Sequence, residues 1–156
     1  MKLRAHISIV VLLGALLLAG CGKSNTASEA TTTTTAMAAA APKVTGTLSA
    51  SDQSSDGMTI KVDDVSISGA PGWIAVHTDL DGKPGPVVGK KAIPMGESKN
   101  VVITLDKAVT AGAYWPMLHV DAGTVGTYEF PGADVPVMSG SDIVMKKVML
   151  AVKAKY

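Results

Sequence analysis

Short runs of alternating apolar and polar residues, separated by clusters of glycine and proline, fill the chain after Lys43. A period of two puts every second side chain on the same face, as in a half-buried β-strand. The clearest runs are 59–62, 73–78, 101–105, 113–121, 127–130 and 148–152. Short strands at this spacing predict an all-β fold, an antiparallel β-sandwich.

Two segments of the pattern are less regular. After Asp63 and Asp64 the alternation of Thr59–Val62 resumes one residue out of phase, which predicts a β-bulge. Over Ser141–Lys155 the lysines and methionines also fit a terminal helix, although a period of two favours a strand at its end. We expect residues 44–156 to form one sandwich of the immunoglobulin or cupredoxin-like kind, since their number suits a single core.

Residues 1–20 have the composition of a secretory signal peptide. Lys2 and Arg4 give a positive start, and the apolar run Ile7–Ala19 follows. That run is too short to span a bilayer comfortably. The only cysteine of the chain, Cys21, comes directly after Gly20.

The tetrapeptide Leu18-Ala19-Gly20-Cys21 resembles the lipobox of bacterial lipoproteins. The resemblance implies cleavage before Cys21, a diacylglyceryl group on its sulfur and acylation of the new amine, for example by palmitate. Two or more acyl chains hold a domain firmly on a membrane. The alternatives are an uncleaved anchor and an ordinary signal peptide with a chance thiol. Since lipoproteins retained at the inner membrane commonly have aspartate at the next position, Gly22 favours the outer membrane in a source with two membranes.

Residues 21–43 read as a disordered tether rich in serine, threonine and alanine. They include five threonines at 31–35 and the alanines of 38–41, which Pro42 follows. Nothing large is present there to be buried, and the threonines and the proline oppose a helix. The domain is therefore expected to stand off the membrane.

The charge of the mature chain argues against a nucleic-acid partner. Removal of residues 1–20 leaves 12 basic residues against 13 acidic ones, a net charge of −1. No arginine remains after Arg4, and the lysines are scattered along the chain. A basic stripe, which is the electrostatic sign of nucleic-acid binding, is therefore missing from the sequence.

Three segments together resemble an uncharacterised secreted domain of bacterial and archaeal cell-surface proteins. They are Gly72-Trp73-Ile74-Ala75-Val76-His77, Met117-Leu118-His119-Val120-Asp121 and Tyr128-Glu129-Phe130-Pro131-Gly132-Ala133-Asp134-Val135-Pro136-Val137. The resemblance covers most of residues 48–152. It implies an all-β extracellular module and brings no established chemistry.

The sequence gives little support to an enzyme. It contains no nucleophile elbow, glycine-rich phosphate loop or zinc helix. The mature chain has two histidines, His77 and His119, and the spacing of its serines and aspartates selects no catalytic triad. We therefore expect no catalysis, and no catalytic residue is assigned.

Copper is the sharper alternative, because an exported chain combines two histidines with several methionines. Met117 and His119 are two residues apart and so share one face of a strand. If His77 lies on the matching face of a paired strand, the three side chains could converge, and thioether with imidazole suits Cu(I). Met95 is a possible extra ligand. The simpler interpretation is that the methionines fill gaps in the core and the histidines bond nearby backbone groups.

Two other ligand readings are weaker. The oxygen-rich segments Asp52–Gly57 and Asp79–Gly82 could suggest calcium, but Asp-Gly is also ordinary turn chemistry. Trp73 and Trp115, if exposed, would form a contact patch for an envelope protein or glycan, and if buried they would anchor the core.

The sequence thus leaves three hypotheses. The first is a lipid-anchored cell-envelope module that binds or scaffolds, without a stoichiometric metal or other cofactor. The second is a periplasmic or extracellular copper protein that uses His77, Met117 and His119. The third and weakest is a hydrolase of envelope polymers.

Overall fold

The structure is a computed structural model that describes residues 43–153. The predicted signal peptide, Cys21 and nearly all of the predicted tether lie outside these residues. Within them the chain forms strands and turns, and it has no helix that could cross a membrane. The strands are β1 (Thr45–Ser49), β2 (Gln53–Ser55), β3 (Thr59–Ser68), β4 (Gly72–Leu80), β5 (Lys83–Ile93), β6 (Gly96–Thr104), β7 (Gly112–Val120), β8 (Met138–Ser139), β9 (Asp142–Ile143) and β10 (Val148–Val152).

Two main sheets make up the fold. One has three strands in the order β1-β3-β6, and the other has five in the order β2-β10-β7-β4-β5. Strands β8 and β9 form a separate small hairpin. The β-sandwich prediction is confirmed, with one departure from a purely antiparallel arrangement, because β2 pairs with β10 in parallel.

The hydrophobic core lies between the two sheets. The three-stranded sheet contributes Ile60, Val62 and Ile103, all of which are fully buried. The five-stranded sheet contributes Ile74 and Leu118 to the same cluster of apolar side chains. Burial of this apolar surface is the main force that holds the sheets together.

The predicted β-bulge at Asp63 is only partly right. The alternation does change phase there, since Val62 and Val65 are both buried although they are three residues apart. The register of β3 against β6 nevertheless continues unshifted, from Val62 opposite Val101 to Asp64 opposite Lys99. The irregularity affects both strands, because Asn100, opposite Asp63, has a φ of 50°.

Other strand predictions differ in outcome. The runs at 73–78, 101–105, 113–121 and 148–152 correspond to β4, β6, β7 and β10, and the alternative terminal helix is wrong within the described residues. The predicted strand at 127–130 is wrong, since these residues lie outside any strand, between a bend at Thr127 and a turn at Phe130. Strand β5 was missed because Pro84 and Pro86 suggested a loop; β5 lies at a sheet edge, where proline is tolerated.

Neighbouring residues of β6 provide a test of the core. Ile103 is fully buried between the sheets, whereas Val102 next to it is 45% exposed. Ile103→Ala is expected to lower the free energy of unfolding by about 2–5 kcal/mol, because it removes buried methyl groups and leaves a cavity. The control Val102→Ala should change it by less than about 0.5 kcal/mol. Chemical denaturation measures both, and equal losses would contradict this assignment of the inner face.

Candidate functional site

The pairing of β4 with β7 creates a second buried surface on the side of the five-stranded sheet that faces away from the core. Trp73 lies opposite His119, and His77 lies opposite Trp115. Their neighbours Ile74 and Leu118 enter the core, and because side chains alternate along a strand these residues point the other way. We call this side the outer face. It carries Trp73, Ala75, His77, Trp115, Met117 and His119.

The two histidines of the outer face meet as a stacked pair. Their ring centroids are 5.8 Å apart and the ring planes are inclined by 12°. His119 is 0% exposed and His77 is 4% exposed. The two residues are diagonal in the register, and the small side chain of Ala75 lies between His77 and Trp73 on β4. The structure therefore brings together the two histidines that the sequence singled out.

Each histidine is fixed by one hydrogen bond to a backbone carbonyl. Nδ1 of His77 donates to the carbonyl of Gly85 at 2.7 Å, and Nδ1 of His119 donates to that of Asp134 at 2.8 Å. Since a carbonyl only accepts, the proton of each neutral ring is on Nδ1. Both Nε2 atoms are buried and have no hydrogen-bond partner among the described residues. Each therefore directs a free lone pair into the outer face.

The surroundings favour the neutral form of His119. Burial lowers the pKa of His119 below its ordinary value of 6.5, and the neighbouring His77 lowers it further. The hydrogen bond to Asp134 and the charge of its carboxylate act in the opposite direction, with a smaller effect than burial. At neutral pH the His119 ring is therefore uncharged and able to donate its lone pair.

Aromatic side chains from the segment after β7 cover the histidine pair. The Phe130 ring lies 4.7 Å from that of His119 and 6.1 Å from that of His77, edge-on to both. Tyr128 packs edge-on against His119 at 5.8 Å and against Trp73 at 5.5 Å. Burial raises the pKa of Tyr128 to about 12, so its phenol stays protonated. The Tyr128 and Phe130 rings lie 6.3 Å apart, although the backbone there forms no strand.

Asp134 organises this segment, and the sequence analysis did not single it out. Its carboxylate is fully buried and accepts hydrogen bonds from the amides of Ala122 and Glu129, at 2.8 and 2.7 Å. Its carbonyl is also the acceptor for His119. We call residues 121–134 the covering loop. The place of Asp134 in the sequence, between Pro131-Gly132 and Pro136, is the signal that could have found it. Aspartate has a short side chain that often accepts hydrogen bonds from nearby backbone amides.

A cavity of about 410 Å³ opens beside the histidine pair. His77, Met117 and Phe130 line one part of it. The remaining lining residues are Lys83, Pro84, Gly85, Pro136 and Ile143. Met117 is almost completely buried and belongs to this outer-face cluster, since it is absent from the apolar cluster between the sheets.

The other candidate ligands lie elsewhere or are already engaged. Met95 is 62% exposed and does not line the cavity. Asp79 uses its carboxylate to accept hydrogen bonds from the Trp115 indole and the Gly82 amide, 2.8 and 3.0 Å away. Asp81 and Gly82 have positive φ angles and form the tight turn between β4 and β5. Turn chemistry thus explains the Asp79–Gly82 segment better than calcium does.

The tryptophans are neither core anchors nor a free contact patch. Both are half-buried on the outer face. Trp73 packs against Tyr128, and Lys147 lies 5.2 Å from the centre of the Trp115 ring. The prediction that buried tryptophans would anchor the sandwich core is therefore wrong, because the register places them on the opposite side of the sheet.

Acidic and cysteine ligands are lacking around the pair. Within residues 43–153, no group of three or more His, Cys, Asp or Glu side chains could hold a metal ion. A metal at the outer face would therefore depend on the two imidazoles together with the Met117 thioether.

Comparison with known proteins identifies the domain. Residues 46–151 match the family described as a domain of unknown function, DUF7282. The chain belongs to this family. It is also similar to cell surface glycoprotein 2 of Haloarcula hispanica, with 34% identity over 116 residues, which are 71% of this chain and 12% of that protein. Cell surface glycoprotein 1 of the same organism is 34% identical over 105 residues, which are 64% of this chain and 11% of that protein.

The matched region coincides with the folded unit. The family match runs over residues 46–151, and the sandwich runs from Thr45 at the start of β1 to Val152 at the end of β10. The chain spans about a tenth of the length of the curated relatives it matches. The similarity to these two relatives therefore concerns a segment of much larger proteins.

The burial of His119 predicts a pH dependence of stability in the metal-free protein. Because the pKa is lower in the folded state, the unfolded chain binds the proton more readily, and stability is lost as pH falls from above 6.5 through the folded pKa. His119→Asn keeps a donor near Asp134 but does not titrate, so its unfolding free energy should fall less between pH 8 and 5.5. One group contributes at most about 1.4 kcal/mol per pH unit. Urea denaturation with chelator present measures the difference, and equal slopes would refute it.

Proposed function

We propose that this protein is a cell-surface module that binds or scaffolds without catalysing a reaction. The observation that carries the proposal is the coincidence of the DUF7282 match with the whole sandwich, together with the similarity of the chain to segments of proteins named as cell surface glycoproteins. A domain that resembles a segment of long surface proteins suits a unit of construction or contact. The two relatives are both named as proteins of the cell surface, and we propose the same location for this chain.

The outer face supports a non-catalytic role. General-base catalysis by histidine usually requires an imidazole that links a nucleophile to an orienting group. Here Nδ1 of each histidine is occupied by a backbone carbonyl, and the ring of His119 is covered by Phe130. Neither ring bonds a serine or a carboxylate among the described residues.

The anchor that we propose is lipid on Cys21, followed by the tether up to Lys43. The support comes from the sequence alone: a leader with a positive start, an apolar run and the tetrapeptide that ends in Cys21. Acyl chains on Cys21 would hold the sandwich at the envelope through the membrane. The outer membrane is the proposed destination in a two-membrane source, and an envelope protein or glycan is the proposed partner.

Metabolic labelling with palmitate tests the anchor. The wild-type chain should incorporate label and should be recovered with membranes, and Cys21→Ala should incorporate none, because Cys21 is the only cysteine. Ser24→Ala, three residues further on, is the matched control and should label as the wild type does. Label in Cys21→Ala, or its absence from the wild type, would refute lipidation at this residue.

Protease treatment of intact cells tests the surface location separately. The sandwich should be removed from intact cells, and the tether at residues 22–43 is the expected site of cutting, since it offers nothing to bury. A chain that resists protease until the cells are broken would contradict the surface location, whatever the outcome of the lipid labelling.

A further inference from the structure

The unpartnered nitrogens of the histidine pair are the least explained polar atoms of the fold. Buried polar side-chain atoms in folded proteins nearly always have a hydrogen-bond partner, and each exception needs a reason. Four buried side-chain atoms are exceptions among the described residues: Trp73 Nε1, the Tyr128 hydroxyl and Nε2 of both histidines, whose rings are stacked 5.8 Å apart. Two such atoms on adjacent side chains indicate a shared ligand.

The hydrogen bonds on the opposite side of each ring prepare these nitrogens as metal ligands. A histidine that binds a metal almost always donates its other ring N–H to a carbonyl, a carboxylate or water, which fixes the tautomer and the ring orientation. His77 does this with Gly85, and His119 with Asp134. Gly85 belongs to the edge strand β5 and Asp134 to the covering loop, so each ring is fixed by a backbone carbonyl outside its own strand.

The third candidate ligand, Met117, lies in the register between the positions of His119 and His77. Met117 shares the outer face with both histidines and lines the same cavity as His77. Its thioether is a soft ligand, and soft sulfur with imidazole selects Cu(I). We propose that His77, Met117 and His119 bind a single Cu(I) ion through Nε2, Sδ and Nε2. The proposal goes beyond the surface role and does not depend on the lipid anchor.

The separation of the rings suits one ion. Metal–nitrogen bonds to histidine are about 2.0–2.1 Å long, so two imidazoles on one ion have their nitrogens roughly 4 Å apart or less. The ring centroids are 5.8 Å apart and the ring planes are nearly parallel, so the two Nε2 lone pairs converge on one ion once the imidazoles turn toward each other.

The charges around the cavity favour a monovalent ion over a divalent one. The lining includes Lys83 and no carboxylate, so a doubly charged ion would meet repulsion without compensation. The buried carboxylate of Asp134, whose backbone carbonyl bonds His119, has only backbone amide partners among the described residues. One positive charge on the ion would balance this one negative charge.

Phe130 provides the cover that Cu(I) requires. Its ring is edge-on to both imidazoles and forms part of the cavity wall, with about a third of its surface exposed. An apolar side chain at this position restricts water and oxidants while leaving a route from the cavity. The hydrophobic shell around a metal site controls its solvent access and its redox behaviour.

Anaerobic competition against a chromogenic Cu(I) chelator tests the site. The full chain is used in detergent with Cys21→Ser as the common background, so that no thiol competes for the metal. This chain should retain one Cu(I). His77→Asn and His119→Asn keep a donor at the Nδ1 position and remove the Nε2 ligand; each should lose more than the roughly 10- to 100-fold in affinity that changes to outer-shell partners cost.

Two methionine variants test the same Cu(I) site if an asparagine variant fails to fold. Met117→Leu preserves apolar volume and removes the thioether, so Cu(I) affinity should fall while metal-free thermal stability stays close to that of the background chain. Met149→Leu is the matched control, since Met149 is 49% exposed on β10 and outside the cavity. It should bind Cu(I) as the background chain does.

Three results would overturn the proposal. The first is the absence of stoichiometric Cu(I) retention by the background chain. The second is equal retention by Met117→Leu and Met149→Leu. The third is tighter retention of Zn²⁺ than of Cu(I) in a parallel titration, which would reject the assignment of the ion. Each is independent of palmitate labelling and of protease access, so failure here leaves the surface role standing.

Discussion

The antiparallel pairing of β4 with β7 is the constraint on which both buried regions of this protein depend. Once Trp73 lies opposite His119, alternation sends Ile74 and Leu118 into the sandwich core. The same register sends the two histidines to the other side of the sheet. A shift of one residue would exchange these two sets and bury imidazoles between the sheets. The core and the outer face are thus two consequences of one register.

An outer face with imidazoles, a thioether and two indoles requires a cover that also satisfies its polar atoms. The chain after β7 supplies the cover and one acceptor, the carbonyl of Asp134 for His119. Val137 donates its amide to the carbonyl of Leu118 at 2.8 Å, which ties the returning segment to the strand. The Asp134 carboxylate holds the covering loop through two backbone amides, and its carbonyl fixes His119. Nε2 of each imidazole is buried beneath this cover, but it has no hydrogen-bond partner among the described residues.

The sequence predicted the features that depend on alternation and failed where long-range packing decides. The sandwich and the shared face of Met117 and His119 follow from a period of two, whereas His77 joins that face through the pairing of β4 with β7. The covering loop was misread as a strand at 127–130, because its aromatic residues alternate although its backbone is held by Asp134. The position of Asp134 between glycine and proline turns indicates bonding to backbone amides, but it does not identify them, since Ala122 and Glu129 become neighbours of Asp134 only when the loop closes.

The protonation state of the histidine pair tests the central claim most directly. Nitrogen-detected NMR of the ¹⁵N-labelled, metal-free chain distinguishes a protonated ring nitrogen from one with a free lone pair. At pH 7.5 both His77 and His119 should have the proton of the hydrogen bond on Nδ1 and a bare Nε2. A proton on Nε2 of either ring would contradict the account, because it would break the bond to Gly85 or Asp134 and remove the lone pair that makes this face a ligand site.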